Sequence, residues 1–179
     1  MHGVILYELN GFATRRVGPD RWREVLRAQG LETDVFTPPE TQPDERVMAL
    51  VAALAREAGV PQADVLREFG SWLAPHLLAL YAPLIMPSWG PAEILQHVET
   101  VIHRAVRLRD PAATPPLLVT RRLGPDEVEI VYTSPRRLCA LATGLIQGIA
   151  TCHGRRADID QPTCMHRGDA ACLLSVRLT

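Results

Sequence analysis

The sequence predicts an α+β fold: an N-terminal helical part, a long helix over roughly 90–109, then a four-stranded antiparallel sheet with one packed helix. Three observations predict it. Apolar residues recur at helical spacing through the first half of the chain. The period switches to alternation after Pro115-Pro116, and turn signals at Gly124-Pro125-Asp126 and Gly168-Asp169 divide the second half into hairpins. With 179 residues, 47% of them hydrophobic, the chain can bury a sizeable core. No repeat or low-complexity block divides it, so one domain over 1–179 is expected, helical at about 1–62 and sheet-bearing at about 63–179.

The elements follow in order. Residues 2–17 read as a helix whose Val4, Ile5, Leu6, Leu9 and Phe12 can face an interior. Gly18-Pro19-Asp20 breaks it, and Trp22, Val25 and Leu26 mark a short second helix ending near Gly30. The run from Thr37 to Pro43 reads as a loop, after which Val47, Leu50, Val51 and Leu54 repeat at helical spacing and stop near Gly59. A further helix begins after Pro61 and carries Val65, Leu66, Phe69, Trp72 and Leu73 inward, with Pro75 expected to kink it. Past the helix at 90–109, residues 117–123 and 128–132 read as paired strands. Ser134 is expected to cap the next helix, with Pro135 at its first position and the helix running to about His153. The tail from Asp158 to Leu178 supplies two more strands.

Composition excludes several classes of function. Lys and Arg number 19 against 20 Asp and Glu, so there is no basic footprint for nucleic acid. No apolar stretch is long enough to span a bilayer, and the N-terminus lacks a secretory pattern. A cytoplasmic domain is expected, with its four cysteines as reduced thiols, metal ligands or redox sensors.

Three groups of residues carry chemistry. His103, on the 90–109 helix, offers an imidazole that can hold iron through one nitrogen, or it is a histidine making an ordinary hydrogen bond. Tyr132, Ser134 and Arg136 alternate across a strand-to-helix junction, where two hydroxyls and a guanidinium can converge on carboxylates. The bland alternative is a packed tyrosine, a serine cap and a solvated arginine. Cys139, Cys164 and Cys172 can converge where the helix meets the last hairpin, as a soft ligand set for zinc or as three small buried residues.

Taken together, Met1-His2-Gly3, His103, Ala113-Thr114-Pro115-Pro116 and Tyr132-Thr133-Ser134-Pro135-Arg136 resemble the haem nitric-oxide/oxygen-binding (H-NOX) family, the gas-sensing domain also found in soluble guanylate cyclase. The resemblance covers nearly the whole chain. It implies haem b as cofactor, His103 as proximal iron ligand, and Tyr132, Ser134 and Arg136 as the clamp on the haem propionates. It makes Pro116 the proline that presses on the porphyrin. The family's oxygen-binding members place a distal tyrosine where this chain has Leu141, and Ile5, Leu9, Leu77 and Leu145 are its apolar neighbours. Without that donor, nitric oxide and carbon monoxide are favoured over stable oxygen binding. The segment from Tyr132 to Cys139, with Thr163-Cys164-Met165-His166 and Cys172, resembles the bacterial branch with a structural or redox-responsive zinc site. That branch has a histidine three residues before the middle cysteine, and here the position is Gln161. His166, His153 or water then completes a Zn2+ site, or the thiols act without metal; Cys152 has no matching role.

The resemblance implies a sensor, not an enzyme: nitric oxide weakens the bond to His103, and a separate protein reads the two resulting states. That partner is expected to be a histidine kinase or a cyclic-dinucleotide enzyme. The competing readings are a haem-free apolar-ligand or thiol redox-sensing interaction domain and, further off, a peroxidase-like haem enzyme, for which no distal acid-base pair is visible.

Overall fold

A computed structural model of the chain describes residues 3–31 and 43–179. The expected loop at Thr37 to Gln42 lies outside the described residues, as do Met1 and His2. Two compact units are present, Met1–Phe69 and Gly70–Thr179.

The first unit is helical. Helix α1 spans Gly3–Val17, α2 Pro19–Ala28 and α3 Asp44–Ala58, and α4, Gln62–Leu80, begins in it. Glycine punctuation follows backbone need. Gly18 precedes α2 at φ 89°, with Pro19 supplying the preset φ of the first turn, and Gly59 ends α3 in the left-handed region at φ 67°. Helices α1, α2 and α3 pack pairwise. Leu9, Leu50 and Leu54 are fully buried, each contributing about 2 kcal/mol of transfer free energy. The rings of Phe12 and Phe69 meet at 5.5 Å, and Trp22 Nε1 donates to the Asn10 side chain at 2.7 Å.

The second unit joins the rest of α4 to α5 (Pro91–His97), a π-helical turn (Val98–His103), α6 (Arg104–Arg109), a four-stranded sheet and α7 (Cys139–Cys152). Strands β1 (Leu117–Gly124), β2 (Glu127–Thr133), β3 (Ala157–Thr163) and β4 (Cys172–Leu178) lie in the order β1-β2-β4-β3, all antiparallel. Alternation sends Val128, Ile130, Leu174, Val176 and Leu178 inward, where Ile146, Ile149 and Ala150 of α7 cover them. The register aligns Leu118, Tyr132 and Cys172 across three strands. Strand β3 is an edge, which accommodates Pro162, and its register shifts between Asp160 and Thr163.

Helices α4 and α7 cross closely. A Cβ built on Gly70 would lie 2.4 Å from Leu141 O and 2.7 Å from Leu145 N, and one on Gly148 would lie 2.5 Å from Ala74 Cβ and 2.8 Å from Ser71 O. Pro75, inside α4, has no N–H for the Ser71 carbonyl four residues earlier, the carbonyl that Gly148 approaches. Ser71 Oγ donates to Gly144 O at 3.1 Å.

Two expectations are corrected. The helix after β2 starts at Cys139, with Leu138 at its N-cap, so Ser134 does not cap it and Pro135 is not its first residue. Arg137 stands at φ 50°, outside any right-handed helix, and the 134–138 segment is a turn. Ser134 works inside that turn: its Oγ accepts the Arg136 N–H at 3.3 Å and its carbonyl accepts the Arg137 N–H at 3.1 Å. The stretch at 90–109 is helical as expected but carries the π turn at Val98–His103. Thr120 Oγ1 of β1 donates to the Gln96 carbonyl just before that turn, at 3.0 Å.

Candidate functional site

His103 ends the π turn, a distortion that accumulates at functional positions because it re-aims side chains off the regular helix face. Its side chain is 14% exposed, and Nδ1 lies 2.8 Å from Glu99 Oε2. Burial pulls its pKa below the ordinary histidine value; Glu99 and the Pro116 carbonyl oppose that and Arg107 assists it. The ring is therefore held neutral, with Nδ1 engaged by the carboxylate and Nε2 as the nitrogen to offer a metal. For Glu99, burial raises the pKa, and the bonds from His103, Arg107 and the Leu118 N–H outweigh it, so the group stays ionised.

Tyr132 and Ser134 are both 2% exposed. The tyrosine hydroxyl accepts the Leu138 N–H at 3.1 Å and interacts with Ser134, and burial above all pushes its pKa up, so it is a protonated phenol. Arg136 reaches the backbone instead: its guanidinium donates to the Thr114 carbonyl and, at 2.8 Å, to Thr114 Oγ1. Segment 114–118 thus gathers the predicted residues: Thr114 takes Arg136, the Pro116 carbonyl bears on His103, and the Leu118 N–H donates to Glu99 at 3.2 Å.

The predicted apolar residues belong to both units. In the first, Leu9 is fully buried in α1 and Ile5 is half-buried on the same helix. In the second, Leu77 on α4 and Leu141 on α7 are half-buried, and Leu145 packs against the core over the sheet.

The three cysteines converge. The Sγ of Cys139, Cys164 and Cys172 all lie within 4.8 Å of one another, with 3.8 Å between Cys139 and Cys164 and 4.0 Å between Cys172 and Cys164. All three are buried and form one cluster with Tyr132, while Cys152 is exposed elsewhere. Burial pushes the Cys172 thiol up to about 11. For Cys164 burial acts the same way, but the His166 backbone N–H and the two neighbouring thiols outweigh it and lower the value. Of the fourth-ligand candidates, His166 is exposed with Nε2 2.7 Å from the Arg137 carbonyl, and His153 has Nδ1 2.8 Å from Ile149 O. Gln161 falls in the β3 register shift, half-buried on the face of Ala157 and Ile159, and its Nε2 is buried without a hydrogen-bond partner.

Sequence reasoning passed over Glu99 and gave Thr114, named only within the Ala113-Thr114-Pro115-Pro116 motif, no role toward Arg136. The signal for Glu99 was present, an acid one helical turn before a candidate ligand histidine. Thr114 had no local signal, since its bond to Arg136 spans 22 residues.

The donors fit both implied groups. A buried imidazole backed by a carboxylate suits haem iron, and the Arg136 guanidinium, held at Thr114, suits a propionate. Three buried thiols within one ligand sphere suit zinc. An α+β unit presenting a buried histidine backed by a carboxylate defines a candidate cofactor-binding domain.

Comparison with known proteins makes this particular. The model of the haem-NO-binding family matches residues 2–161, and the chain belongs to that family. The crystal structure of an H-NOX protein from S. oneidensis in the Fe(II)NO ligation state is similar over 100% of this chain and 99% of its own, at 26% identity and a TM-score of 0.91. The NMR structure of an H-NOX domain from Shewanella oneidensis in the Fe(II)CO ligation state is similar over the same shares, at 25% identity and a TM-score of 0.88. An unliganded Fe(II) H-NOX protein from K. algicida shares the fold at 20% identity and a TM-score of 0.87, over 100% of this chain and 97% of its own. Comparison with curated protein sequences gave no match. No described helix is long and apolar enough to cross a membrane.

Proposed function

We propose that the protein is a haem-based nitric oxide sensor that also takes carbon monoxide and passes its state to a separate protein. The observation that carries this is His103, neutral, nearly buried and backed by Glu99, on a chain of the haem-NO-binding family. Ferrous haem, if held by His103, would supply an iron that takes a diatomic ligand. The chain's own residues do the rest. His103 would hold the iron through Nε2, and Pro116, whose carbonyl bears on the imidazole, would bear on the porphyrin as the family resemblance implies. Tyr132, Ser134 and Arg136 orient the propionates, Arg136 exchanging Thr114 for a charged partner. Leu77, Leu141 and Leu145 would present hydrocarbon to the cofactor and its ligand. The π turn that carries His103 would be the element whose two arrangements a partner binds with different affinity. A histidine kinase or a cyclic-dinucleotide enzyme is the partner proposed. Anaerobic addition of nitric oxide to the haem-reconstituted protein is expected to convert a histidine-ligated ferrous spectrum stoichiometrically; failure to hold haem would refute the sensor.

Oxygen discrimination supplies a further prediction. Leu141 offers no hydrogen to a bound ligand, so Leu141→Tyr is expected to slow oxygen dissociation about tenfold, the effect of one hydrogen bond of about 1.4 kcal/mol. Stopped-flow measurement in both proteins checks it.

We further propose that Cys139, Cys164 and Cys172 hold one zinc ion, with Gln161, His166, His153 or water completing it, as in the zinc-bearing bacterial branch, and that the site senses oxidants. Peroxide would convert two of the thiols to a disulfide, releasing two waters and removing two ligands from the metal. Elemental analysis is expected to find one zinc per chain, lost after peroxide and in Cys164→Ser. Absence of zinc from the protein purified without chelator would leave the cluster as packing.

A further inference from the structure

Glu99 lies one helical turn before His103 within the π-helical stretch, and its carboxylate is fastened from three directions. Oε2 takes His103 Nδ1 at 2.8 Å and the Leu118 N–H at 3.2 Å, and Oε1 takes Arg107 Nη2 at 2.6 Å. Its side chain is 16% exposed, so this is not a solvated surface pair. Two of the three donors come from elsewhere, one from α6 and one from the second residue of β1. A carboxylate held that way cannot follow the imidazole; the imidazole must follow the carboxylate.

We propose that Glu99 is the positioning residue for His103, fixing its ring plane and tautomer, placing negative charge behind the metal-binding nitrogen, and tying the ring to the start of β1. This rests on His103 being the iron ligand. An imidazole that donates Nδ1–H to a carboxylate is a more basic ligand than one bonded to a neutral acceptor, so Glu99 strengthens the proximal bond that nitric oxide must overcome. It also gives the release of His103 a path into the sheet. One oxygen of Glu99 serves both the ring and the Leu118 N–H, so displacement of the ring disturbs β1 at its second residue, next to Pro116 on the 114–118 segment. No other described residue joins the proximal helix to β1 through the histidine itself.

The test uses the full chain, haem-reconstituted and ferrous, as wild type, Glu99→Gln and Arg107→Ala, read by the resonance Raman iron–histidine stretch. Glu99→Gln keeps the shape and one acceptor for the Leu118 N–H but removes the charge. The stretch is expected to move to lower wavenumber in Glu99→Gln and by a smaller step in Arg107→Ala, where the carboxylate stays but loses an anchor. Conversion by nitric oxide is expected to be about tenfold faster in Glu99→Gln, within the range for lost outer-sphere partners of metal ligands. Amide exchange at Leu118, read without haem, is expected to rise in Glu99→Gln, since the neutral amide is the weaker acceptor. A stretch unchanged in both variants, in a wild type that shows it, overturns the proposal while leaving the sensor intact. A wild type that binds haem without any iron–histidine stretch overturns both.

Discussion

His103→Ala is expected to abolish the histidine-ligated ferrous haem spectrum, and added free imidazole to restore it. None of the other described histidines can substitute. His97 is stacked on Trp89 at a ring separation of 4.5 Å, and His76 stands against Trp72 at 5.4 Å. His153 and His166 are each bonded to a backbone carbonyl, His166 on an exposed turn. Among the described histidines, only His103 combines burial with a carboxylate that sets its tautomer. Alanine removes the proposed iron ligand but leaves Arg107 and the Leu118 N–H to keep the Glu99 carboxylate in place, so free imidazole meets a preformed acceptor. His166→Ala is the control, expected to leave the ferrous spectrum unchanged. A wild-type spectrum in His103→Ala would overturn the ligand assignment.

The second large effect is structural. Gly70→Ala is expected to destabilise the protein by about 3 kcal/mol, the upper end of ordinary overpacking, because its Cβ would meet backbone atoms of Leu141, Gly144 and Leu145 at under 3.0 Å. Backbone inside a helix has no rotamer through which to yield, so α7 must shift against α4. That shift carries Leu141 and Leu145, so ligand kinetics are expected to change along with stability. Gly11→Ala is the opposite case: nothing lies within 4 Å of its Cβ, and replacing a helical glycine there is expected to stabilise by about 0.5–1 kcal/mol. Urea unfolding of the two variants checks both signs. A neutral Gly70→Ala would mean that the two helices do not approach as closely as described.

Much of this architecture was legible in the sequence because it is local. The apolar spacing of Val47, Leu50, Val51 and Leu54 specifies a helix face without knowing what covers it, and the alternation through Val128, Ile130 and Tyr132 specifies a strand in the same way. The failure at Ser134 is instructive. Ser-Pro before an apolar run reads as a helix start, but Tyr132 offers its hydroxyl to the Leu138 N–H and Arg137 turns left-handed, so the helix waits until Cys139. Nothing local distinguishes a serine that caps a helix from one that closes a turn four residues earlier. The π turn is similar: its distortion is met by Thr120, 24 residues beyond Gln96 in sequence.

The sequence by itself determined the kinds of elements, their order, the donor residues and the family they resemble, because side-chain periodicity and motif spacing are properties of neighbouring residues. Only the tertiary structure decided which donors meet. Cys139 and Cys164 come to 3.8 Å across 25 residues because the start of α7 lies over the Tyr132–Cys172 row of the sheet. Glu99 reaches both His103 and Leu118 because the π turn at Val98–His103 packs against β1. Strand register and helix crossing are settled by packing across the whole unit, and no stretch of neighbouring residues carries that information.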